Sequence, residues 1–250
     1  MITKLQVKYI QSLGQKKFRD EEAVFIAEGP KIINELLGDA TSKPEAIYAT
    51  RGWIEEDMPA IKRTAPYNVV EIKQADLERV SFLQAPNRVL GLFKKPEYTN
   101  LNFTMTVSLM LDGIQDPGNL GTIIRIADWF GITNIACSKD CADAFAPKVV
   151  QATMGSIARV KLMYTDLIEL VKQMPSIPLY AATLDGESIS HHQPVREGIL
   201  ITGNESKGVS TALLTYCKQR VTIPRIGSAE SLNAAVATGI ILSHLVNARS

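Results

Sequence analysis

The 250-residue sequence has little of what several functional classes require. Its three cysteines, Cys137, Cys141 and Cys217, are an odd number without metal-type pairing or nearby histidines. That argues against a disulfide framework or a zinc site and predicts free, mostly buried thiols. His191 and His192 stand in a polar loop without ligand spacing, so no metal is expected. No apolar run approaches the roughly 20 residues that span a bilayer. Residues 1 to 20 also lack the apolar core and cleavage site of a secretory signal, which predicts a soluble cytoplasmic protein with no membrane partner. Neither a Walker A loop, nor a strand followed by G-x-G-x-x-G, nor a G-x-S-x-G elbow occurs, which removes the nucleotide-triphosphatase, dehydrogenase and serine-hydrolase readings.

What remains is ordinary globular material, 46% hydrophobic and 21% charged, in a chain long enough for two modest domains. The first part alternates helix and strand. A short amphipathic helix over 4 to 13 precedes "AVFIAEG" as a strand and "PKIINELLGD" as a helix with Pro30 at its first position. Then come "AIYAT", a helix near 52 to 63, "NVVEI", a helix near 74 to 82 and "RVLGLFKK". "KKPEYTNLN" loses periodicity, which puts a boundary near 95 to 104 and two domains at 1–98 and 104–250. The net charge of +1 does not advertise nucleic acid, but Lys4, Lys8, Lys16, Lys17 and Arg19 all precede the first acid, Asp20. Two readings of that basic stretch stay open, a phosphate-binding face and a solvated amphipathic helix.

The second part opens with "TVSLMLDGI", apolar enough to be a strand covered on both faces. Similar runs follow at "ITNIACS", "PLYAATL", "GILITGNE" and "QRVTIP", separated by helical patterns at 119 to 130, 146 to 155, 165 to 174 and 210 to 217. A long helix over 231 to 247 closes the chain. This alternation implies a mainly parallel sheet with ligands at the strands' carboxyl ends.

Three strand-end loops carry the unusual residues. In "DGIQDPGNLG", Asp116, Pro117 and Gly118 form a turn and Asn119 can cap the next helix, while Arg125 lies among Ile123, Ile124, Ile126 and Ala127 in a helix facing the core. Helical side chains lean back one turn, and the residue there is Gly121, so Arg125 can reach toward the Asn119 loop to meet a phosphate or carboxylate; a structural salt bridge is the alternative. In "ILITGNESKGVS", Gly203 and Gly208 permit tight backbone geometry around Glu205, and Ser210 can cap a helix. In "VTIPRIGSAESLNAAVATG", Ser231 reads as a helix cap, and Asn233 sits two places into a small-residue helix without so ready a structural reason.

In this order the loops resemble the SpoU or TrmH family of the SPOUT methyltransferases, through "DPGNLGTIIR", "TGNESKGVS" and "IPRIGSAESLNAAVA", with "APKVVQATMGSIARV" as a further likeness. The resemblance covers 107 to 247. Residues 4 to 93, especially "FIAEGPKIINELL", also resemble the family's substrate-binding domain of the L30e or L7Ae fold. It implies an α/β chain whose C-terminal parallel-sheet domain is trefoil-knotted and dimerises, and which transfers a methyl group from S-adenosyl-L-methionine (AdoMet) to a ribose 2'-hydroxyl in RNA, rRNA before tRNA, without a metal. Carried over by position, the catalytic set is Asn119, Arg125, Glu205, Ser231 and Asn233, and AdoMet lies against Thr183, Gly203, Ile223 and Leu232. The segment Arg225 to Glu230 departs from the family pattern. A noncatalytic RNA-binding protein of this fold and a base methyltransferase are the alternatives.

Overall fold

A computed structural model describes residues 2–62 and 68–246, and the side chains of these apart from 57–62. The elements are α1 (Lys4–Ser12), α2 (Lys16–Glu22), β1 (Val24–Glu28), α3 (Pro30–Gly38), β2 (Pro44–Ala49), α4 (Arg51–Lys62), β3 (Val69–Glu71), α5 (Gln74–Val80), β4 (Val89–Lys94), β5 (Val107–Asp112), α6 (Pro117–Trp129), β6 (Asn134–Cys137), α7 (Pro147–Thr153), β7 (Lys161–Tyr164), α8 (Leu167–Lys172), β8 (Leu179–Ser188), β9 (Gly198–Gly203), α9 (Thr211–Leu214), β10 (Gln219–Thr222) and α10 (Ala234–Leu245). The helix expected near 52 to 63 ends for this description at Lys62, and residue 247 of the last expected helix lies outside the described residues. That last helix starts at Ala234, not at 231.

The chain divides into two units. The first contains residues up to Glu97 together with Asp143–Ala158, a segment that follows β6 in sequence. Its sheet has the order β1-β4-β2-β3, with β4 antiparallel to both neighbours and β3 parallel to β2. Side chains alternate across a strand. Val24, Ile26, Ala46, Tyr48, Leu90 and Leu92 therefore share one face, where they pack with Val7, Ile10 and Leu13 and with Leu77 and Val80 of α5. On the other face Phe25 stacks on Phe93 at 5.8 Å and meets Phe145 at 5.0 Å between ring centroids. Phe145 comes from the returning segment, which covers β1 and leaves all five of its residues buried. Burying the large apolar ring of Phe25 on this face is worth roughly 1.5 to 3 kcal/mol, reason enough for the segment to group here.

α2 escapes hydrophobic periodicity because its buried residue is a charge. Arg19 is 2% exposed. Its Nη2 and Nε donate to Asp143 Oδ2 at 2.6 and 3.1 Å, and Nη1 donates to the Leu13 carbonyl at 2.7 Å. The reading of Arg19 as part of a basic face is thereby corrected: a guanidinium this desolvated persists only because its donors are met. Lys4, Lys8, Lys16 and Lys17 are exposed.

The second unit holds a six-stranded, wholly parallel sheet of order β10-β8-β9-β5-β6-β7. β7, four residues at the edge, is too short for its period to be read from sequence. From β5 the chain first builds outward through β6 and β7, then supplies β8, β9 and β10 on the other side. The order reverses between β5 and β9, and a reversal of this kind opens a crevice at the strands' carboxyl ends. α10 packs on α6, where a β-carbon at Gly239 would come to 3.4 Å from Ile126 Cδ1. The buried hydroxyls of Thr238 and Thr202 meet at 3.1 Å and pin α10 to the end of β9.

Candidate functional site

The first loop is held by its backbone. Gly113, at a φ of +72° that favours glycine, donates its N–H to Ser138 Oγ at 2.8 Å and accepts from Asn204 Nδ2 at 2.9 Å through its carbonyl. Ile114 N–H donates to Cys141 Sγ at 3.3 Å. The hydrogen bond from Cys137 holds the Cys141 thiol down to about 7 and, with burial, raises Cys137 well above the ordinary range. The cap of α6 is Asp116, whose carboxylate accepts from Asn119 N–H at 2.8 Å, with Pro117 at the first helical position. Asn119 was expected to be that cap; its side chain is instead free to point elsewhere.

The second loop closes on itself. Asn204 and Gly208 exchange backbone hydrogen bonds at 3.1 and 2.8 Å, and Asn204 Oδ1 accepts from the N–H groups of Ser206 and Lys207 at 2.9 and 3.2 Å. A β-carbon at Gly203 would lie 2.1 Å from the Gly208 carbonyl carbon, so only glycine lets the two strands of the loop approach. Asn204 was missed in the sequence because one Asn in a turn looks like turn chemistry. Its amide in fact also reaches the first loop.

The third loop corrects two further expectations. Ser231 is exposed and precedes the helix; the cap of α10 is Asn233, whose Oδ1 accepts from Ala235 and Val236 N–H at 3.0 and 3.2 Å. Asn233 thus has the ready structural role that its sequence position hid. It has a second one as well. Its Nδ2 donates to Asn119 Oδ1 at 2.7 Å, and Asn119 Nδ2 donates to Glu205 Oε1 at 2.5 Å. One amide therefore joins all three loops, from positions 114 and 86 residues away in sequence.

Beside this chain lies a cavity of about 620 Å³, a size normal for small-molecule sites. Thr183, Gly203, Ile223 and Leu232 all line it, and so do Glu205 and Ser231. Asn119, Asn233 and Arg125 do not; the first two reach its wall through Glu205. Thr183 belongs to an excursion of β8: its pairing with β10 steps from Ala181 to Glu187, so 182–186 loop outward. There the Thr183 hydroxyl is buried and meets no hydrogen-bond partner among the described residues, and Asp185 accepts from Arg220 Nη1 at 3.3 Å. The exposed apolar side chains Leu184, Ile226 and Leu232 are on this wall too, with three cations, Lys207, Arg220 and Arg225, and three acids, Asp185, Glu205 and Glu230. Apolar surface beside charges of both signs suits a ligand with an apolar or aromatic part and a zwitterionic end. Arg125 is exposed on α6 and makes no ion pair among the described residues; the Glu205 carboxylate is bonded to Asn119. No group of three or more metal-ligating side chains occurs among the described residues.

Residues 106–243 match the SpoU rRNA Methylase family, and residues 4–91 match the MRM3-like substrate binding domain. The chain is 29% identical over 243 residues to the 23S rRNA (guanosine(2553)-2'-O)-methyltransferase RlmP of Bacillus subtilis, covering 96% of this chain and 95% of that one. A putative RNA methyltransferase of the TrmH family from Porphyromonas gingivalis superposes with a TM-score of 0.87 at 35% identity, covering 98% of both chains. An AdoMet-bound rRNA methyltransferase from Sinorhizobium meliloti superposes with a TM-score of 0.85 at 30% identity, over 98% of this chain and 95% of that one.

Proposed function

Because the chain belongs to the SpoU rRNA methylase family, we propose that it methylates a ribose 2'-hydroxyl in rRNA with AdoMet as the methyl donor. Relatives named for rRNA 2'-O-methylation and for bound AdoMet support the substrate and the donor. The observation that carries the reading is the Asn233–Asn119–Glu205 chain, which brings three separate loops to the rim of one cavity at the carboxyl edge of a parallel sheet.

The donor supplies an activated methyl group, so this chain's task is to orient the acceptor oxygen and dispose of its proton. Thr183, Gly203, Ile223 and Leu232 hold the donor largely through backbone groups. Asn119, Ser231 and Asn233 orient the ribose. Arginine stays protonated near neutrality and serves poorly as a resident base. Arg125 therefore binds the phosphate beside the target and stabilises charge developing on the 2'-oxygen, the proton leaving to water. Its exposure and its lack of an ion pair fit that task.

The same reading has the chain passing through itself in a trefoil knot and forming a homodimer through the second unit. Trp129, 85% exposed at the end of α6, and Val236 on the packed α10 are apolar surface that a second copy would cover. Sedimentation as a monomer at micromolar concentration would refute the dimer. The function itself is tested by mapping 2'-O-methyl sites in total RNA with and without the protein. One rRNA ribose should lose its methyl group; a missing base methyl instead would overturn the assignment.

A further inference from the structure

The exposed ring of Phe82 has no explanation in the core. It is 41% exposed, in an irregular segment between α5 and β4. Its backbone is nevertheless fixed: the buried Glu28 carboxylate accepts from Phe82 N–H at 2.9 Å and from the Ser81 hydroxyl, whose oxygen accepts from Leu83 N–H at 3.0 Å. The ring lies against Gly14, where a β-carbon would come within 2.5 Å of Cε1. The Cε1 edge of the ring is thus backed by the Gly14 peptide, while the residue stays 41% exposed.

Gly14 sits in the turn between α1 and α2, with Lys16 and Lys17 following it. α1 presents Lys4 and Lys8, one helical turn apart, then Gln11, whose Nε2 donates to the Arg79 carbonyl at 2.9 Å, at the end of α5 next to Phe82. Exposed lysines thus precede and follow the ring's support along the chain. The acids of α2 lie toward its other end, where Asp20 pairs with Lys95; Lys17 approaches Glu21 only to 3.8 Å and stays 75% exposed.

We propose that this is where the substrate RNA is gripped outside the transfer site: Phe82 stacks an unpaired base, and Lys8, Lys16 and Lys17 hold the flanking phosphates. This rests on the RNA-methylating reading and deepens it, because an exposed aromatic ring packed on a turn that lysines precede and follow fits a single-stranded loop or bulge, whereas a paired helix offers no free base face.

The two parts separate in a salt titration. With a mixed-sequence single strand of about 12 nucleotides and its blunt duplex as probes, Phe82→Leu keeps the packing on Gly14 but loses the aromatic face. It should weaken single-strand binding about tenfold at every salt concentration, leaving the slope of log affinity against log salt unchanged. Duplex affinity and thermal midpoint should not move, and Phe82→Trp should restore binding. Lys16→Gln with Lys17→Gln should instead lower the slope by about 1.4 for the single strand. Wild-type single-strand affinity in Phe82→Leu, or equal loss for strand and duplex, would overturn the proposal. Failure of the wild-type protein to methylate rRNA would refute the transferase reading alone, since these titrations measure binding without turnover.

Discussion

Asn233 performs two jobs with the two ends of one amide, and substitution can take them apart. Its Oδ1 caps α10 through two N–H groups, and its Nδ2 donates to Asn119. Asn233→Ala loses both. The lost cap costs about 1 kcal/mol, which lowers the thermal midpoint by about 2 to 4 °C for a chain of this length. Asn233→Asp keeps an acceptor at the cap, where a carboxylate is favoured by the helix dipole, but presents oxygen to Asn119 Oδ1 where a donor stood. With the cap kept, its stability should fall only by the lost hydrogen bond to Asn119, about 0.5 to 1.5 kcal/mol, and so by less than in Asn233→Ala. Loss of that hydrogen bond and the repulsion replacing it cost about 1.4 to 2.7 kcal/mol of orientation, a fall of about 10- to 100-fold in single-turnover methyl transfer. The assays are thermal denaturation and rapid-quench transfer of labelled methyl from AdoMet to rRNA. A wild-type rate in Asn233→Asp would refute the role given to the amide chain, and equal losses of stability in Asp and Ala would refute the cap.

Arg125→Lys should lose most turnover while keeping AdoMet affinity, because lysine retains the charge but not the planar fork; a near-normal single-turnover rate refutes it. Gly203→Ala must open the loop that its β-carbon would otherwise enter at 2.1 Å, so calorimetry should show AdoMet affinity reduced by at least about tenfold. Unchanged affinity would mean that this loop does not bind the donor. Burial raises the Glu28 carboxyl above its ordinary 4.5, more than its bonds to Ser81 and Phe82 lower it. In the window from 4.5 up to the raised value the folded state binds more protons than the unfolded, so stability falls as pH rises through it. Glu28→Gln removes that dependence, and a difference in stability between the two proteins that stays flat from pH 4 to 8 would refute the burial argument.

The parallel half of the fold was legible because its central strands β5, β6 and β9 are apolar on both faces and α6 and α10, 13 and 12 residues long, are long enough to show their period. What stayed hidden has specific causes. α2 buries Arg19, a residue that hydrophobic patterning counts as surface. β7 is four residues at an edge. The return of Asp143–Ala158 to the first unit depends on Phe145 meeting Phe25, a contact 120 residues apart that no local signal announces. At the site, Asn119, Glu205, Ser231 and Asn233 lie in or beside the three strand-end loops, whereas Arg125 stands within α6 and Thr183 within β8; the caps were displaced along the chain: Asp116, not Asn119, caps α6, and Asn233, not Ser231, caps α10. A cap is chosen by which backbone leaves the extended region, and several Asx and Ser residues stood within three positions of each boundary.

The displacement of those roles is what makes the network possible. Asp116 takes over capping of α6, and the Asn119 side chain is released to serve the other loops. Its orientation then follows from its neighbours. The Asn233 oxygen is occupied by two helix N–H groups, so only its Nδ2 can face Asn119, which must accept through Oδ1. The remaining Asn119 Nδ2 faces Glu205, a carboxylate that accepts and does not donate. A carboxylate at 119 would repel Glu205 and an alcohol would reach only one partner, so a short amide is the side chain that satisfies both. Because Glu205 is engaged there, it does not neutralise Arg125, which forms no ion pair among the described residues.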